Sequence, residues 1–362
     1  MFDPLTLDDA PEVNELLRRI GLGDLDDSDA VSLIGRNDNW AGTTTAGVPV
    51  FLKRVLGGSE SSVRQIRRSL AFEATVGRVG QEDLRTPAVL GHDEPARLMA
   101  TELLPDAVNG LELAEQDAFD EDLAHRVGRA VGLLHRADAE ESEPPLDTSA
   151  PLLPNIEWND ALPLPLFLNL SFAEVGLWNI VHSDRELREA TEELRRMESA
   201  AERCPVHCDL RLDQILLYED RLYIIDGEEF RFADPARDVG SFAGEWLHLA
   251  LAGLKGGGRD GSEIDRGPSH EELVAKGTLE LARLRSRIAE FWAGYRVTRG
   301  NVDSALAIRA TAFAGWHLID RALATAEQNS RLSASTRAAM GVGRTALVQP
   351  EKFVRTLGLG GS

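Results

Sequence analysis

Two short stretches, His207-Cys208-Asp209-Leu210-Arg211-Leu212-Asp213-Gln214 and Ile225-Asp226-Gly227-Glu228, hold the most informative side chains of this chain. The residues between them, 215–218 and 221–225, are typical of two β-strands, with Glu219-Asp220 as the turn. Because a tight hairpin returns to its starting point, we expect Asp209 and Gln214 to lie near Asp226 and Glu228. Carboxylate and amide oxygens are ligands that Mg²⁺ prefers. The sequence therefore predicts a divalent-cation site that also takes substrate phosphates.

The order of these residues resembles a known family. His-x-Asp, an amide five residues after the Asp, a hairpin and then Ile-Asp-x-Glu resembles the aminoglycoside phosphotransferase and choline-kinase-like superfamily, whose members are bilobal relatives of protein kinases. The family's later Asp-Pro-x-x-Asp stretch is matched by Asp234-Pro235-Ala236-Arg237-Asp238. The resemblance implies an α+β, kinase-like fold, with a small β-sheet N-lobe over residues 1–103 and a larger, mainly helical C-lobe over 104–362. It also implies phosphoryl transfer to a hydroxyl, with ATP and Mg²⁺ as cofactors.

The resemblance assigns roles to four residues. Asp209 becomes the catalytic carboxylate, Gln214 the catalytic-loop amide that binds metal, and Asp226 the main metal ligand. Glu228 joins the metal site through water or binds a second ion. Gln214 stands where most relatives have Asn; its longer side chain keeps the carbonyl ligand.

Other residues near the catalytic loop have more than one interpretation. Arg211 contacts the γ-phosphate or the acceptor, or else forms a surface salt bridge with Asp213. His207 is expected to bond the loop backbone. Cys208 departs from the family pattern, which usually has Gly there. Asp238 is expected either to cap the following helix or to tie down the catalytic loop.

Lys53 is the predicted nucleotide lysine. It lies among apolar neighbours on a strand predicted over 48–55, and a buried lysine needs an anion. Glu73, on a helix predicted over 60–79, is the natural partner. The lysine then holds the α and β phosphates, as in kinases. The alternative is that Lys53 lies on a solvent-exposed face of the strand. Side chains alternate along a strand and Arg54 already occupies the opposite face, so this alternative is disfavoured.

Two further segments are predicted to contact the nucleotide. The polar region 35–45 lies where kinases fold a loop over the phosphates, and its glycines permit close backbone approach; an ordinary hairpin turn is the alternative. Residues 101–104 are expected to form the hinge that binds adenine, with core packing as the alternative for each side chain. The predicted contacts are Gly35, Gly42, Thr43 and Thr44 in the loop, and Met99, Thr101, Leu103, Leu216 and Ile225 around the adenine.

Hydrophobic periodicity predicts most of the remaining elements. Strands are expected over 31–34, 48–55 and 97–103, and helices over 11–20, 60–79, 123–135, 184–203, 238–254, 271–298, 302–327 and 333–357. Residues 144–165 are predicted to be irregular, and 255–268, rich in glycine, to be a flexible loop.

Composition excludes several classes of protein. The 362 residues carry 60 acidic against 39 basic side chains, a net charge of -21, which argues against nonspecific nucleic-acid binding. That charge suits a cationic partner such as an amino sugar or a basic peptide, or is simply an acidic surface. The two cysteines, Cys204 and Cys208, exclude a disulfide framework. No apolar run approaches a membrane span, and the N-terminus lacks signal-peptide features, so a cytoplasmic location is expected.

The sequence leaves the acceptor open. Kinase-like subunits of class V lanthionine synthetases belong to the superfamily and phosphorylate Ser or Thr of a precursor peptide before a separate lyase subunit eliminates the phosphate. The runs 211–214, 227–230 and 35–44 look more like that branch, and a peptide acceptor is favoured. It requires an open, acidic groove, for which 144–165 and 255–268 are long enough to form walls. The alternatives are a kinase of aminoglycosides, sugars or other alcohols, and a pseudokinase marked by Gln214.

Overall fold

The chain folds into two compact units, each built from three stretches. A computed structural model describes residues 6–26, 28–33, 35–138, 143–252 and 270–360. The first unit comprises Met1–Ala118, Arg136–Thr148 and Asp213–Phe232; the second comprises Phe119–His135, Ser149–Leu212 and Ala233–Ser362. The sequence predicts a boundary between residues 103 and 104, with each lobe formed by one continuous stretch. The observed units are each formed by three stretches, so the predicted lobes stay a prediction.

The described residues form a mixed α/β fold. The strands are β1 (Val31–Leu33), β2 (Asp38–Thr43), β3 (Pro49–Arg54), β4 (Val89–Asp93), β5 (Leu98–Glu102), β6 (Val108–Asn109), β7 (Cys204–Val206), β8 (Ile215–Tyr218), β9 (Arg221–Ile224) and β10 (Arg231–Ala233). The helices are α1 (Pro11–Arg19), α2 (Ser59–Val79), α3 (Gly110–Glu115), α4 (Glu121–Leu134), α5 (Leu164–Phe167), α6 (Phe172–Ser183), α7 (Arg185–Ala200), α8 (Ala236–Ala252), α9 (His270–Arg299), α10 (Leu306–Glu327), α11 (Ala334–Val348) and α12 (Pro350–Leu357). A small antiparallel sheet near the N-terminus and a helical C-terminal region confirm the predicted fold class.

The main sheet of the first unit places Lys53 on a defined face. Its strands run antiparallel in the order β1-β2-β3-β5-β4. Because side chains alternate along a strand, Trp40, Leu52 and Ala100 lie on one face and are buried against α1. Lys53 and its cross-strand neighbour Met99 lie on the other face. The site described below is built on this second face.

The predicted hairpin is confirmed. β8 pairs antiparallel with β9, and β6 adds a third strand. Glu219 and Asp220 both have positive φ, 48° and 59°, as the tight turns that match strand twist require. At the open end, the amide of Ile225 donates to the carbonyl oxygen of Gln214 at 2.9 Å. The hairpin therefore brings Gln214 next to the residues that follow β9.

The second unit is a helical core. α4 packs on α9, and α8 packs on both α9 and α10. Large aromatic side chains fill the space between them: Phe242 stacks on Phe291 with ring centroids 4.0 Å apart, and Trp246 meets Phe119 edge to face at 5.1 Å. All four are buried. None of the helices in the described part of the chain is long and apolar enough to cross a membrane.

Several element predictions need correction. The turn predicted over 35–45 contains a strand, β2, since its backbone pairs with both β1 and β3. β4 and α6 were not predicted. The helix expected over 333–357 is two helices, α11 and α12, because Pro350 lacks the N–H that would continue the first. Residues 144–165 are irregular apart from α5 and a short 3₁₀ segment, as expected, and 255–268 lie outside the described residues.

Candidate functional site

The first unit contains a buried lysine held by two carboxylates. The Nζ atom of Lys53 lies 2.5 Å from Oδ1 of Asp226 and 2.5 Å from Oε2 of Glu228. Burial would lower the pKa of Lys53, but the charges of the two carboxylates and their hydrogen bonds outweigh it and raise the pKa. The ammonium therefore stays charged, as a group that binds phosphate must.

The backbone at Asp226 is strained and held in place by packing. Asp226 adopts a left-handed conformation, with φ of 65°, which is uncommon for a residue with a side chain. A Cβ on the next residue, Gly227, would lie 2.6 Å from Cβ of Phe72 on α2, so glycine alone permits this approach. Phe72 also meets Phe230 edge to face at 5.3 Å. α2 thus fixes the turn that orients Asp226 and Glu228.

Two amide side chains complete this cluster. Nε2 of the buried Gln214 donates to Oδ2 of Asp226 at 3.4 Å, and Nδ2 of Asn37 donates to Oε2 of Glu228 at 3.3 Å. Asn37 is itself held by the amide of Leu56, which donates to its Oδ1 at 3.0 Å. Sequence reasoning missed Asn37. Its signal was present in the polar run 35–39, which leads into β2, the strand paired with the one that carries Lys53.

The cluster fits a Mg²⁺ site that is completed by substrate. Asp226 and Glu228 supply two carboxylates, and Gln214, whose Nε2 faces Asp226 here, would supply its amide oxygen after a flip of the amide. Among the described residues, no group of three or more His, Cys, Asp or Glu side chains is arranged to hold a metal ion alone. Mg²⁺ usually takes one or two carboxylates and completes its shell with water and phosphate oxygens. The oxygen ligands that Asp226, Glu228 and Gln214 could offer match this coordination.

Lys53 does not have the partner that the sequence predicted. Within the described residues, Glu73 forms no ion pair with Lys53, whose ammonium contacts Asp226 and Glu228 instead. Glu73 is half-buried on α2. A role for Glu73 in binding nucleotide stays a prediction.

The predicted phosphate loop is differently built. Gly35 lies in the bend before β2, whereas Gly42 lies within β2. A Cβ on Gly42 would be 3.1 Å from Cα of Ala30, so this glycine accommodates the neighbouring backbone. Contact of Gly35 or Gly42 with phosphate stays a prediction.

The two threonines of that segment have structural partners. The amide of Thr43 donates to Oδ2 of Asp29 at 2.9 Å. The buried Thr44 accepts the amide of Val48 at its hydroxyl, at 3.2 Å, and thereby closes the turn between β2 and β3. Their contacts with nucleotide likewise stay predictions.

The residues predicted around adenine are all in the first unit. Met99 and Thr101 are partly buried on the strand β5, and both lie on the Lys53 face of the sheet. The amide of Leu103 donates to the carbonyl of Pro49 at 3.3 Å, so it extends the sheet beyond β5. Leu216 is partly exposed on β8, and Ile225 follows β9. Adenine binding by these residues stays a prediction.

In the second unit, Asp238 ties down the loop that carries Asp209. Its two carboxylate oxygens accept the amides of His207 and Cys208, each at 2.8 Å, and Oδ2 also lies 3.0 Å from Nε2 of His135. Burial would raise the pKa of Asp238, but the bonds and charges of the two histidines lower it below its usual value. Of the two roles predicted for Asp238, the structure supports the tie to the loop.

Asp209 itself is partly exposed. Its amide donates to Nδ1 of His207 at 3.4 Å, which confirms the expected backbone bond of that histidine. Nε of Arg211 lies 3.5 Å from Oδ1 of Asp209. Cys208 has a φ of 67°, the region that favours glycine. The loop therefore presents a carboxylate with an adjacent guanidinium.

Glu245 holds the other end of this loop and was missed by the sequence reasoning. Its Oε2 accepts the amide of Leu212 at 3.3 Å, and its Oε1 lies 2.7 Å from Nε2 of His317 and 3.5 Å from Nε of Arg321. Burial would raise the pKa of Glu245, but His317 and Arg321 lower it to about 2. The sequence does indicate this role in one way: Glu245 lies seven residues after Asp238 on α8 and so on the same face of the helix.

The chain is similar to a known protein family. A family described as "Phosphotransferase enzyme family" (APH) matches residues 34–273. No curated protein sequence matches the chain.

Solved structures share its fold. One is a choline/ethanolamine kinase family protein from Mesorhizobium loti, with 16% identity, 98% of this chain and 100% of that chain covered, and a TM-score of 0.59. Another is the amicoumacin kinase hAmiN in complex with AMP-PNP, Ca²⁺ and Ami, with 13% identity, 94% of each chain covered and a TM-score of 0.56. A third is a fructosamine-3-kinase from Thermobifida fusca, described as putative, with 16% identity, 95% and 99% covered, and a TM-score of 0.52.

Proposed function

Because the chain belongs to the phosphotransferase enzyme family, we propose that it transfers the γ-phosphate of ATP to a hydroxyl group in a Mg²⁺-dependent reaction. This membership confirms the resemblance and the enzyme class that the sequence predicted. The amicoumacin kinase structure is named as a complex with AMP-PNP and Ca²⁺, which supports a nucleotide together with a divalent cation here.

The observation that carries the proposal is the cluster formed by the buried Lys53 with the partly buried Asp226 and Glu228. In this proposal Lys53 binds the nucleotide phosphates, while Asp226 and Glu228, with Gln214, hold Mg²⁺. The ion neutralises charge on the phosphates when bound. This cluster of one cation and two anions, buried only in part, matches a ligand made of an anion and a divalent cation.

Asp209 is the proposed catalytic residue. It accepts the proton of the acceptor hydroxyl, or orients that hydroxyl, as the oxygen forms its bond to the γ-phosphorus and the bond to ADP breaks. General-base help of this kind contributes on the order of 10²–10⁴-fold. In this proposal Arg211, whose Nε lies 3.5 Å from Oδ1 of Asp209, balances the charge of the incoming phosphoryl group.

For the acceptor we propose Ser or Thr of a ribosomal precursor peptide, as in lanthionine-type biosynthesis, with a separate lyase acting on the phosphorylated product. Support comes from the resemblance of 211–214, 227–230 and 35–44 to that branch, and from exposed apolar side chains between residues 152 and 180, which offer contact to a chain. A small-molecule acceptor is the alternative, favoured by the names of the structural neighbours, which include kinases of an antibiotic and a choline-type alcohol. We also propose a cytoplasmic location, which is consistent with the use of ATP and with the two free cysteines.

The test of the reaction class starts from binding. At about 100 times its dissociation constant, ATP with Mg²⁺ adds about 2.7 kcal/mol to the free energy of unfolding, seen as a rise in Tm. Asp226→Asn is expected to keep the fold but abolish turnover, because a neutral amide does not balance the cation. A lack of any melting shift with ATP or GTP, with or without Mg²⁺, would refute the kinase assignment. Binding without transfer to any acceptor would indicate a pseudokinase.

The test of the acceptor is a panel of aminoglycosides, simple sugars and a Ser/Thr-rich precursor peptide, each incubated with ATP and analysed by mass spectrometry. We expect phosphoryl addition on the peptide and poor kcat/KM for aminoglycosides. Efficient transfer to an aminoglycoside with none to any peptide would reject the peptide acceptor and leave the phosphotransferase assignment intact.

A further inference from the structure

A stretch of the second unit is almost free of charge yet lies at the surface. Residues 161–180 contain one charged side chain, Glu174. We call this stretch, which includes α5 and most of α6, the apolar segment. Leu164, Leu168 and Phe172 are 66%, 71% and 84% exposed. A surface of this kind normally carries charges at many of its positions.

The exposure is concentrated rather than scattered. Of the 14 large apolar side chains that stay exposed in the described part of the chain, nine lie between residues 152 and 180. Those nine are Leu152, Leu153, Ile156, Leu164, Phe167, Leu168, Phe172, Val175 and Ile180. Single exposed apolar residues need no explanation, whereas concentrated ones mark sites of interaction.

α6 is apolar on both of its faces. Its inward face buries Leu177, Trp178 and Val181, while Phe172 and Val175 face outward. The outward face of a surface helix is normally polar, whereas Phe172 and Val175 share this face with Asn179. Within the described residues, the outward side chains are left exposed.

α6 is nevertheless firmly held. Ser171 and Glu174 form a reciprocal capping box at its N-terminus, and the Ser171 hydroxyl donates to the carbonyl of Ala326 on α10 at 2.8 Å. At its other end, the outward face continues into an open depression of about 460 Å³ lined by Asn179, Ile180, Ser183, Asp184, Arg185, Glu186 and Arg344. The outward face is thus a fixed surface with a recess at one end.

The net charge of the chain distinguishes between the molecules that could bind to the outward face of α6. A second copy of the chain would bring another net charge of -21 to the first, and an anionic membrane would repel it as well. The apolar segment contains Glu174 and is bordered by Glu157, Asp160 and Glu186, of which Asp160 pairs with Arg188 and Glu186 with Arg344. Asp160 is 84% exposed. The net charge of the whole chain therefore favours a partner with apolar anchors and basic residues around them.

We propose that the outward face of α6, with Phe167 and Leu168, binds an apolar and basic helical segment of the acceptor peptide, away from the Ser or Thr that is phosphorylated. This inference rests on the proposed peptide acceptor. The twelve residues of α6 span about 18 Å, which matches a bound helix of about three turns with anchors at helical spacing. Docking there raises the local concentration of the hydroxyl near the catalytic loop, so it lowers KM without changing the chemical step.

The test uses synthetic peptides as probes. One carries Leu and Lys at amphipathic helical spacing, joined to a Ser/Thr tract; a second replaces Leu by Ser, and a third replaces Lys by Glu. Each is measured for phosphorylation and, by fluorescence anisotropy, for binding to the full-length protein. We expect the first peptide to bind and react with a KM at least about tenfold below those of the other two.

The protein variant is Leu168→Ser with Phe172→Ser, and its matched control is Leu279→Ser, an equally exposed leucine on α9, 72% exposed. For the Leu/Lys peptide, the double variant is expected to raise Kd and KM at least about tenfold and leave kcat and the KM for ATP within about twofold. The control is expected to behave as wild type. Since the changed side chains are solvent-exposed, the Tm should not fall, and the anisotropy measurement does not depend on turnover.

Each alternative has its own signature. A wild-type Kd and KM in the double variant would overturn the docking surface while the kinase assignment stood. Binding that depends on Leu168 and Phe172 without any phosphoryl transfer would support the surface and reject the proposed acceptor. A dimer, seen by sedimentation, or binding to phosphatidylglycerol vesicles that the double variant abolishes would assign the face to a second copy or to a membrane and overturn the proposal.

Discussion

Glu245→Gln separates two contributions of one buried carboxylate. Glu245 accepts the amide of Leu212 and faces His317 and Arg321. Glutamine keeps an oxygen that can accept the Leu212 amide but removes the negative charge. We therefore expect the variant to lose stability while its kcat falls much less than that of Glu245→Ala, which removes the acceptor as well.

The magnitude follows from the pKa of Glu245. It falls from an ordinary value of 4.5 to about 2 in the folded chain. At about 1.4 kcal/mol per unit, this difference corresponds to about 3 kcal/mol of unfolding free energy at neutral pH. Because the folded-state pKa is the lower one, this stability is present above about pH 4.5 and is lost as the pH falls towards about 2.

The assay is urea unfolding of wild type, Glu245→Gln and a control, Glu192→Gln, whose residue is exposed on α7. Measurements at pH 7 and at steps down to pH 3 give the acid slope of each protein. Glu245→Gln should be less stable at pH 7 by about 3 kcal/mol and show a shallower acid slope, whereas Glu192→Gln should follow wild type. An acid slope in Glu245→Gln equal to that of wild type would refute the reasoning.

Three further changes test the supports of the site. Gly227→Ala places a Cβ 2.6 Å from Phe72, so we expect a loss of about 1–3 kcal/mol in urea unfolding and a large loss of kcat. Cys208→Gly relieves a positive φ and should raise stability by about 1 kcal/mol in the same assay, whereas Cys208→Ala should not. Asp238 accepts hydrogen bonds from two backbone amides and from His135, and Asp238→Asn leaves one of these donors without an acceptor. We expect the free energy of unfolding to fall by about 1–3 kcal/mol and, in steady-state kinetics, a lower kcat.

The sequence was sufficient for elements with strong local signals. The hairpin was predicted to the residue at its turn, because Glu219-Asp220 separates two short apolar runs and the pairing is local. α2 was predicted within one residue at its start, since its apolar positions repeat at helical spacing. The approach of Gln214 to Asp226 followed from the hairpin alone.

The failures concern partners that are distant in sequence. Glu73 was predicted as the partner of Lys53 because it lies on the next helix, yet Asp226 and Glu228, more than 170 residues away, occupy that place. Asn37 and Glu245 were missed for the same reason, because nothing in a single sequence shows which polar side chain a fold brings to a buried charge. β2 was read as a turn since Asp38, Asn39 and Gly42 are poor strand formers; pairing on both sides overrides that local preference.

Backbone geometry explains why unusual residues are tolerated at the site. Cys208 and Asp226 both have a left-handed conformation, at φ of 67° and 65°, and neither is glycine. Strain of this kind, about 1–3 kcal/mol for each residue, persists only where the surroundings enforce it. At Cys208 the enforcing contact is Asp238, which accepts two successive amides; at Asp226 it is Gly227 packed on Phe72. A replacement that keeps these contacts, such as Cys for Gly in the loop, costs some stability but leaves the path of the backbone intact.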